Sequence, residues 1–197
     1  GWDRISGYYY PDSTIAGFSH THLSGTGAGD LYDISYMPVT LPYREAEAPL
    51  GIHSKFRHSD EEASAGYYRV LLKDYNINVE LTATERCGIQ RYTFPKAQSA
   101  VFLNLKKAMN WDFTQDSHIE VVDSCTIQGY RFSDGWARGQ RVFFRTRFSK
   151  PFRSSEIDTT AIIQDGKTIG TAYVARFNFD TTDGEEIVLC TALSGVS

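Results

Sequence analysis

Residues 141–148 read Arg-Val-Phe-Phe-Arg-Thr-Arg-Phe. On an extended chain successive side chains point to opposite faces. Val142, Phe144, Thr146 and Phe148 therefore share one side, and Arg141, Phe143, Arg145 and Arg147 the other. An apolar face backed by a mostly basic one predicts a strand of an antiparallel sheet, with one side in a core and the other in water. Residues 171–179 repeat the pattern: Tyr173, Ala175, Phe177 and Phe179 alternate with Ala172, Val174, Arg176 and Asn178.

Working outward, runs of Val, Ile, Tyr, Phe and Thr recur roughly every ten residues from residue 66 onward, which is the spacing of an all-β domain. They predict further strands over 67–72, 78–84, 89–94, 101–105, 118–124, 126–132, 158–164 and 186–193. Asp165-Gly166 and Asp183-Gly184 each fall between two of these runs, and Asp-Gly supplies the positive φ angles of a tight hairpin. Only Lys106 to Asn110 and Asp60 to Ser64 suggest a helical turn. So many strands exceed what one open twisted sheet holds. The predicted fold class is all-β, an antiparallel β-sandwich of two packed sheets with long N-terminal loops.

Composition narrows the function classes. With 41% hydrophobic and 22% charged residues in 197, the chain is neither disordered nor a disulfide-stapled miniprotein. A net charge of −4 removes the basic footprint of a nucleic-acid binder, so no nucleic-acid partner is expected. No apolar run approaches the ~18 residues of a membrane-spanning helix. Cys87, Cys125 and Cys190 lie too far apart for a CxxC ligand pair or redox motif, and their apolar surroundings predict small buried hydrophobes.

The first third reads differently, with little periodicity and much Gly, Ser, Thr, His, Asp and Tyr. A region that long without regular structure is usually functional. His20 and His22 are two apart, so both imidazoles of an extended segment point the same way. They would hold a metal only with a third ligand, Asp30 or Asp33, and polar or structural histidines are the plainer reading. Gly25-Thr26-Gly27-Ala28-Gly29 lacks the endings of a P-loop or dinucleotide motif and reads as a tight loop whose backbone approaches something closely. Asp60-Glu61-Glu62 lacks the alternating oxygens of a calcium loop and reads as a solvated turn. Trp2, Tyr8, Tyr9 and Tyr10 offer a stacking platform for a sugar, although aromatics of a β-rich chain more often fill the core.

The order of these blocks carries further information. Gly1-Trp2-Asp3-Arg4, Ser6-Gly7-Tyr8-Tyr9-Tyr10, the run Gly17 to Gly27, Gly29-Asp30, Phe56 to His58 with Asp60 to Ser64, and Glu80 to Arg86 resemble the N-terminal domain of glycoside hydrolase family 92. So do Arg91 to Pro95, Gly129-Tyr130-Arg131 with Gly135-Trp136-Ala137, and Phe148 to Phe152. Ala28, Ala65 and Gln90 depart from the pattern, standing where Cys, Pro and His are frequent.

The resemblance implies a calcium-dependent, inverting exo-α-mannosidase, frequently directed at α-1,2-linked mannose. Such an enzyme is built from an N-terminal β-sandwich and a larger (α/α)6 catalytic domain. Residues 1–197 are then expected to be the sandwich alone, cut inside its start, with the catalytic domain outside the chain. The general acid, the general base and most calcium ligands would belong to that domain, so this chain alone is expected to hydrolyse nothing and to hold no cofactor. Its partners would be mannose-terminated glycans and the catalytic domain, in a secreted or periplasmic setting. The substrate-binding residues implied are Trp2 and Asp3 of the first block, followed by His20, Thr21, His22 and Ser24 on the glycine-rich loop. The alternative from another class is a free-standing β-sandwich carbohydrate-binding module.

Overall fold

The computed structural model describes residues 7–21, 31–43, 51–108 and 112–197. In chain order the strands are β1 (Thr14–Ile15), β2 (Ser35–Thr40), β3 (Ser54–Lys55), β4 (Glu61–Ser64), β5 (Tyr67–Leu72), β6 (Ile77–Ala83) and β7 (Cys87–Phe94). They continue with β8 (Ala97–Asn104), β9 (Phe113–Asp123), β10 (Thr126–Asp134), β11 (Gln140–Phe148), β12 (Ser154–Gln164), β13 (Lys167–Thr181) and β14 (Glu185–Ser194). An eight-stranded sheet runs β4-β5-β6-β7-β14-β11-β10-β9, and a four-stranded sheet runs β12-β13-β8-β2. All their pairings are antiparallel. β1 and β3 form a separate two-stranded pair.

The β-sandwich is as the alternation predicts. On β11, Phe144, Thr146 and Phe148 are buried while Arg141, Arg145 and Arg147 are exposed. Phe148 meets Phe177 and Phe179 of the facing β13 at ring separations of 5.4 and 5.8 Å, which locks the two sheets together. The Tyr36 hydroxyl of β2 lies 2.6 Å from Thr146 Oγ1, which lies 2.8 Å from Thr191 Oγ1, so the buried hydroxyls are mutually satisfied across the interior. At one margin β9 crosses β13: Tyr173 N donates to Ser117 Oγ at 2.9 Å. Gly170 fits there because a Cβ would stand 2.1 Å from Thr114 O.

Several expectations are corrected. Asp165-Gly166 does close a hairpin, between β12 and β13, with φ of 48° and 74°. Asp183-Gly184 instead joins β13 of the smaller sheet to β14 of the larger one, so the same dipeptide makes a sheet-crossing turn. The chain 61–64 is strand β4, entered through a 3-10 turn at His58–Asp60, and Lys106 to Ala108 is not helical. β2 lies in the region without periodicity: its first five residues are all buried, so no alternation marks it, and Pro38 is accommodated because β2 is a sheet edge. Of the cysteines, Cys190 is exposed on the outward side of β14 and Cys87 and Cys125 are only half-buried; all three are free thiols. Among the described residues no helix is long and apolar enough to cross a membrane.

Candidate functional site

Eight strands facing four leave part of the wider sheet's inner surface uncovered. The segment before β2 folds over this surface as a stem. Phe18 N donates to Tyr36 O at 2.8 Å and Tyr36 N to Phe18 O at 3.1 Å; His20 N reaches Asp33 O at 3.0 Å and Tyr32 N reaches Thr21 O at 2.9 Å. The stem is irregular: Leu31, Tyr32 and Ile34 take φ of 71°, 83° and 54°, a left-handed conformation that side chains rarely adopt. Such strain persists only where surrounding interactions over-determine it, and it gathers at functional segments.

Beside the stem, a cleft of about 610 Å³ opens along the inner face of the wider sheet. His20 and Thr21 of the stem, Tyr68 of β5, Gln90 of β7, Arg86 and Leu193 are among its walls. Its lining is mostly apolar with polar groups interspersed, which suits a ligand with both kinds of surface.

His20 is the candidate residue best defined by this geometry. Its Nδ1 lies 2.8 Å from Ile34 O, and since a carbonyl only accepts, Nδ1 carries the proton. Burial lowers the imidazole pKa and the Ile34 carbonyl opposes that shift, leaving the ring neutral at physiological pH. Nε2 then presents a lone pair, buried and without a hydrogen-bond partner among the described residues. The ring packs edge-on against Tyr36 at 5.7 Å.

Thr21 also lines the cleft, but its hydroxyl is engaged: it donates to Asp33 Oδ2 at 2.5 Å and accepts from Asp33 N at 3.1 Å. Asp33 in turn receives Arg131 NH1 at 2.5 Å in a fully buried ion pair. Asp33 is therefore a structural anchor and not a third metal ligand beside His20. Trp2, Asp3, His22, Ser24 and Asp30 lie outside the described residues.

Tyr68 connects the cleft to a cluster around the 58–61 turn, where the sequence predicts a solvated turn. Glu61 accepts from Tyr68 Oη at 2.6 Å and Tyr8 Oη at 3.3 Å and lies 2.5 Å from His58 Nδ1. Tyr10 stacks on His58 at 4.0 Å with planes 7° apart and remains 63% exposed, leaving a ring face free. The hydrogen bond to Glu61 raises the His58 pKa, and burial together with the Glu61 charge raises that of Tyr68 far above its usual value. The signal in the sequence was the spacing of His58 and Glu61, i and i+3, across a turn.

The run Asp60-Glu61-Glu62 is engaged with neighbouring side chains. Glu61 is committed to the tyrosines and His58, Glu62 pairs with Arg69 at 3.3 Å, and Asp60 faces Lys73 at 3.7 Å. Among the described residues no three His, Cys, Asp or Glu side chains cluster as a metal site.

Fold and site together define a two-sheet antiparallel β-sandwich whose wider sheet carries an open cleft beside the stem. The comparison with known proteins gives it a family. The family model for the glycosyl hydrolase family 92 N-terminal domain matches residues 1–194, and the chain belongs to that family. It is similar to the family GH92 α-mannosidase BT3965 of Bacteroides thetaiotaomicron, solved in complex with mannoimidazole: 31% identity over 100% of this chain and 28% of that one, with a TM-score of 0.86. The fold is shared with the GH92 inverting mannosidase BT2199 of the same organism, at 23% identity over 96% of this chain and 25% of that one, TM-score 0.75. The chain thus spans about a quarter of the length of these solved relatives. No curated protein matches it.

Proposed function

We propose that this chain is the N-terminal, non-catalytic domain of an inverting exo-α-mannosidase that removes terminal α-1,2-linked mannose from glycans. The observation that carries the reading is the superposition of the whole chain on 28% of an α-mannosidase solved with mannoimidazole. In the whole enzyme an acid protonates the leaving oxygen while a base activates water on the opposite face of the ring. Both groups, and the calcium that the family resemblance implies, would belong to a catalytic domain outside this chain. The enzyme would work outside the cytoplasm or in a periplasm, where mannose-capped glycans are met.

This chain's own residues would bind and orient. Trp2, with Asp3, would hold the sugar next to the scissile bond. His20, Thr21, His22 and Ser24 would join them in the substrate-binding set, His20 and Thr21 as part of the cleft wall, with the buried His20 ring fixing that wall rather than meeting the sugar directly. Positioning of this kind lowers the barrier by ordering the substrate before reaction, with no proton transfer from the sandwich. Replacing Trp2 by Ala in the full-length enzyme tests the role: a fall in kcat/KM of roughly tenfold or more is expected. An unchanged value would remove Trp2 from the rim.

A further inference from the structure

Arg131 sits on β10 on the same face as Ile127, an inward position flanked by Val142 of β11 and Ser117 of β9. It is fully buried, and every guanidinium nitrogen is used. Nε donates to Thr114 Oγ1 at 2.9 Å and to Leu105 O at 3.2 Å, NH1 to Asp33 Oδ1 at 2.5 Å, and NH2 to Asp112 Oδ2 at 2.7 Å. Thr114 Oγ1 also donates to Leu105 O at 2.6 Å. The two aspartates belong to different parts of the chain. Asp33 is in the stem and holds Thr21 by two hydrogen bonds. Asp112 ends the connection from β8 to β9 and directly follows residues 109–111. A single side chain therefore ties together the anchors of two segments 98 and 19 residues away from it.

The strained stem supplies an independent argument. Leu31, Tyr32 and Ile34 hold left-handed φ on either side of Asp33, and a β-branched residue such as Ile34 adopts that region only under constraint. The buried ion pair to Arg131 fixes Asp33, which lies between Tyr32 and Ile34. A buried fork of this kind contributes specificity of geometry more than net stability.

We propose that Arg131 is a positioning residue: through Asp33 it clamps the stem, residues 18–21 and 31–36, to Leu105, Asp112 and Thr114, and so holds the cleft wall formed by His20 and Thr21 in one fixed position for substrate. The clamp stands on the geometry above, and its consequence for substrate rests on the mannosidase reading. In the test, Arg131→Lys keeps the charge but gives up the fork, and Asp112→Asn keeps the shape while weakening one arm. Hydrogen exchange is followed on the 197-residue chain, with Ile187→Val as a core-destabilised control. In both clamp variants, amides of 18–21 and 31–36 should exchange about tenfold faster together with those of 105–115, while β6 and β7 stay protected. Uniform acceleration as in the control, or acceleration of one segment alone, would overturn the clamp. In the full-length enzyme Arg131→Lys should raise KM for an α-mannoside about tenfold. Unchanged kinetics would overturn the positioning role. A wild-type enzyme without mannosidase activity would refute the functional reading instead, and the exchange pattern would still decide the clamp.

Discussion

Gly88 on β7 and His20 on the stem touch so closely that a methyl group on Gly88 would stand 2.5 Å from His20 Cδ2 and 2.9 Å from Nε2. The wider sheet accepts the stem because this one inward position lacks a Cβ. His20 cannot easily retreat, held by the Ile34 carbonyl on one side and Tyr36 on another. Gly88→Ala should therefore cost about 1–3 kcal/mol in urea unfolding. Adding His20→Ala should recover most of that loss. Strict additivity of the two substitutions would show that the contact is not the cause.

Neighbouring residues of β11 should differ sharply. Phe148→Ala removes a ring packed against Phe177, Phe179 and Phe152 and should cost about 3–5 kcal/mol. Arg147→Ala, on the exposed face, should stay within about 0.5 kcal/mol of the parent. Comparable losses at both positions would contradict the sandwich register.

The pair His58 and Glu61 makes a titration visible by NMR. Glu61 raises the His58 pKa through a hydrogen bond, so Glu61→Gln should move it back toward the ordinary ~6.5. Because the folded-state value is raised, the stabilisation is fully present below the unfolded value and is lost as pH rises through the folded one. The stability gap between parent and variant should accordingly narrow above neutrality. A His58 pKa unmoved by Glu61→Gln would break the assignment.

Asp112 gives the opposite kind of curve. Burial pushes its carboxyl up to about 6 against the pull of Arg131, with the nearby charge of Asp33 adding to the rise. The native state then binds a proton more tightly than the unfolded chain between about pH 4 and 6, so this group stabilises the fold as pH falls through that window. Measured by Tm, the advantage of the parent over Asp112→Asn should grow from pH 7.5 to pH 5. A constant or shrinking difference would mean that Asp112 stays ionised throughout.

What was legible in the sequence follows from periodicity. Strands exposed on one face, such as β11, β7 and β14, alternate and were found within a residue or two at most ends. β2 was missed because its first five residues are buried, and a short run containing Pro38 carries no period. Asp183-Gly184 shows that a turn dipeptide fixes neither both φ angles nor which sheet the next strand joins: Gly184 has a φ of 72° as Gly166 has 74°, but Asp165 takes a positive φ and Asp183 does not. His20 and Thr21 were named from the sequence, and the structure brings both to the cleft. Glu61 and Arg131 were not, because their roles depend on partners distant in the chain: Tyr8 for the first, Asp33 for the second. The inward parity of Arg131 with Ile127 was the one available hint, since a charge on a core-facing position must be paired.

The most direct test of the account is incubation of the 197-residue chain with α-1,2-mannobiose and calcium. The account predicts no release of mannose by this chain, and release when the full-length enzyme containing it is used. Turnover by the isolated chain that survives rigorous purification would contradict it.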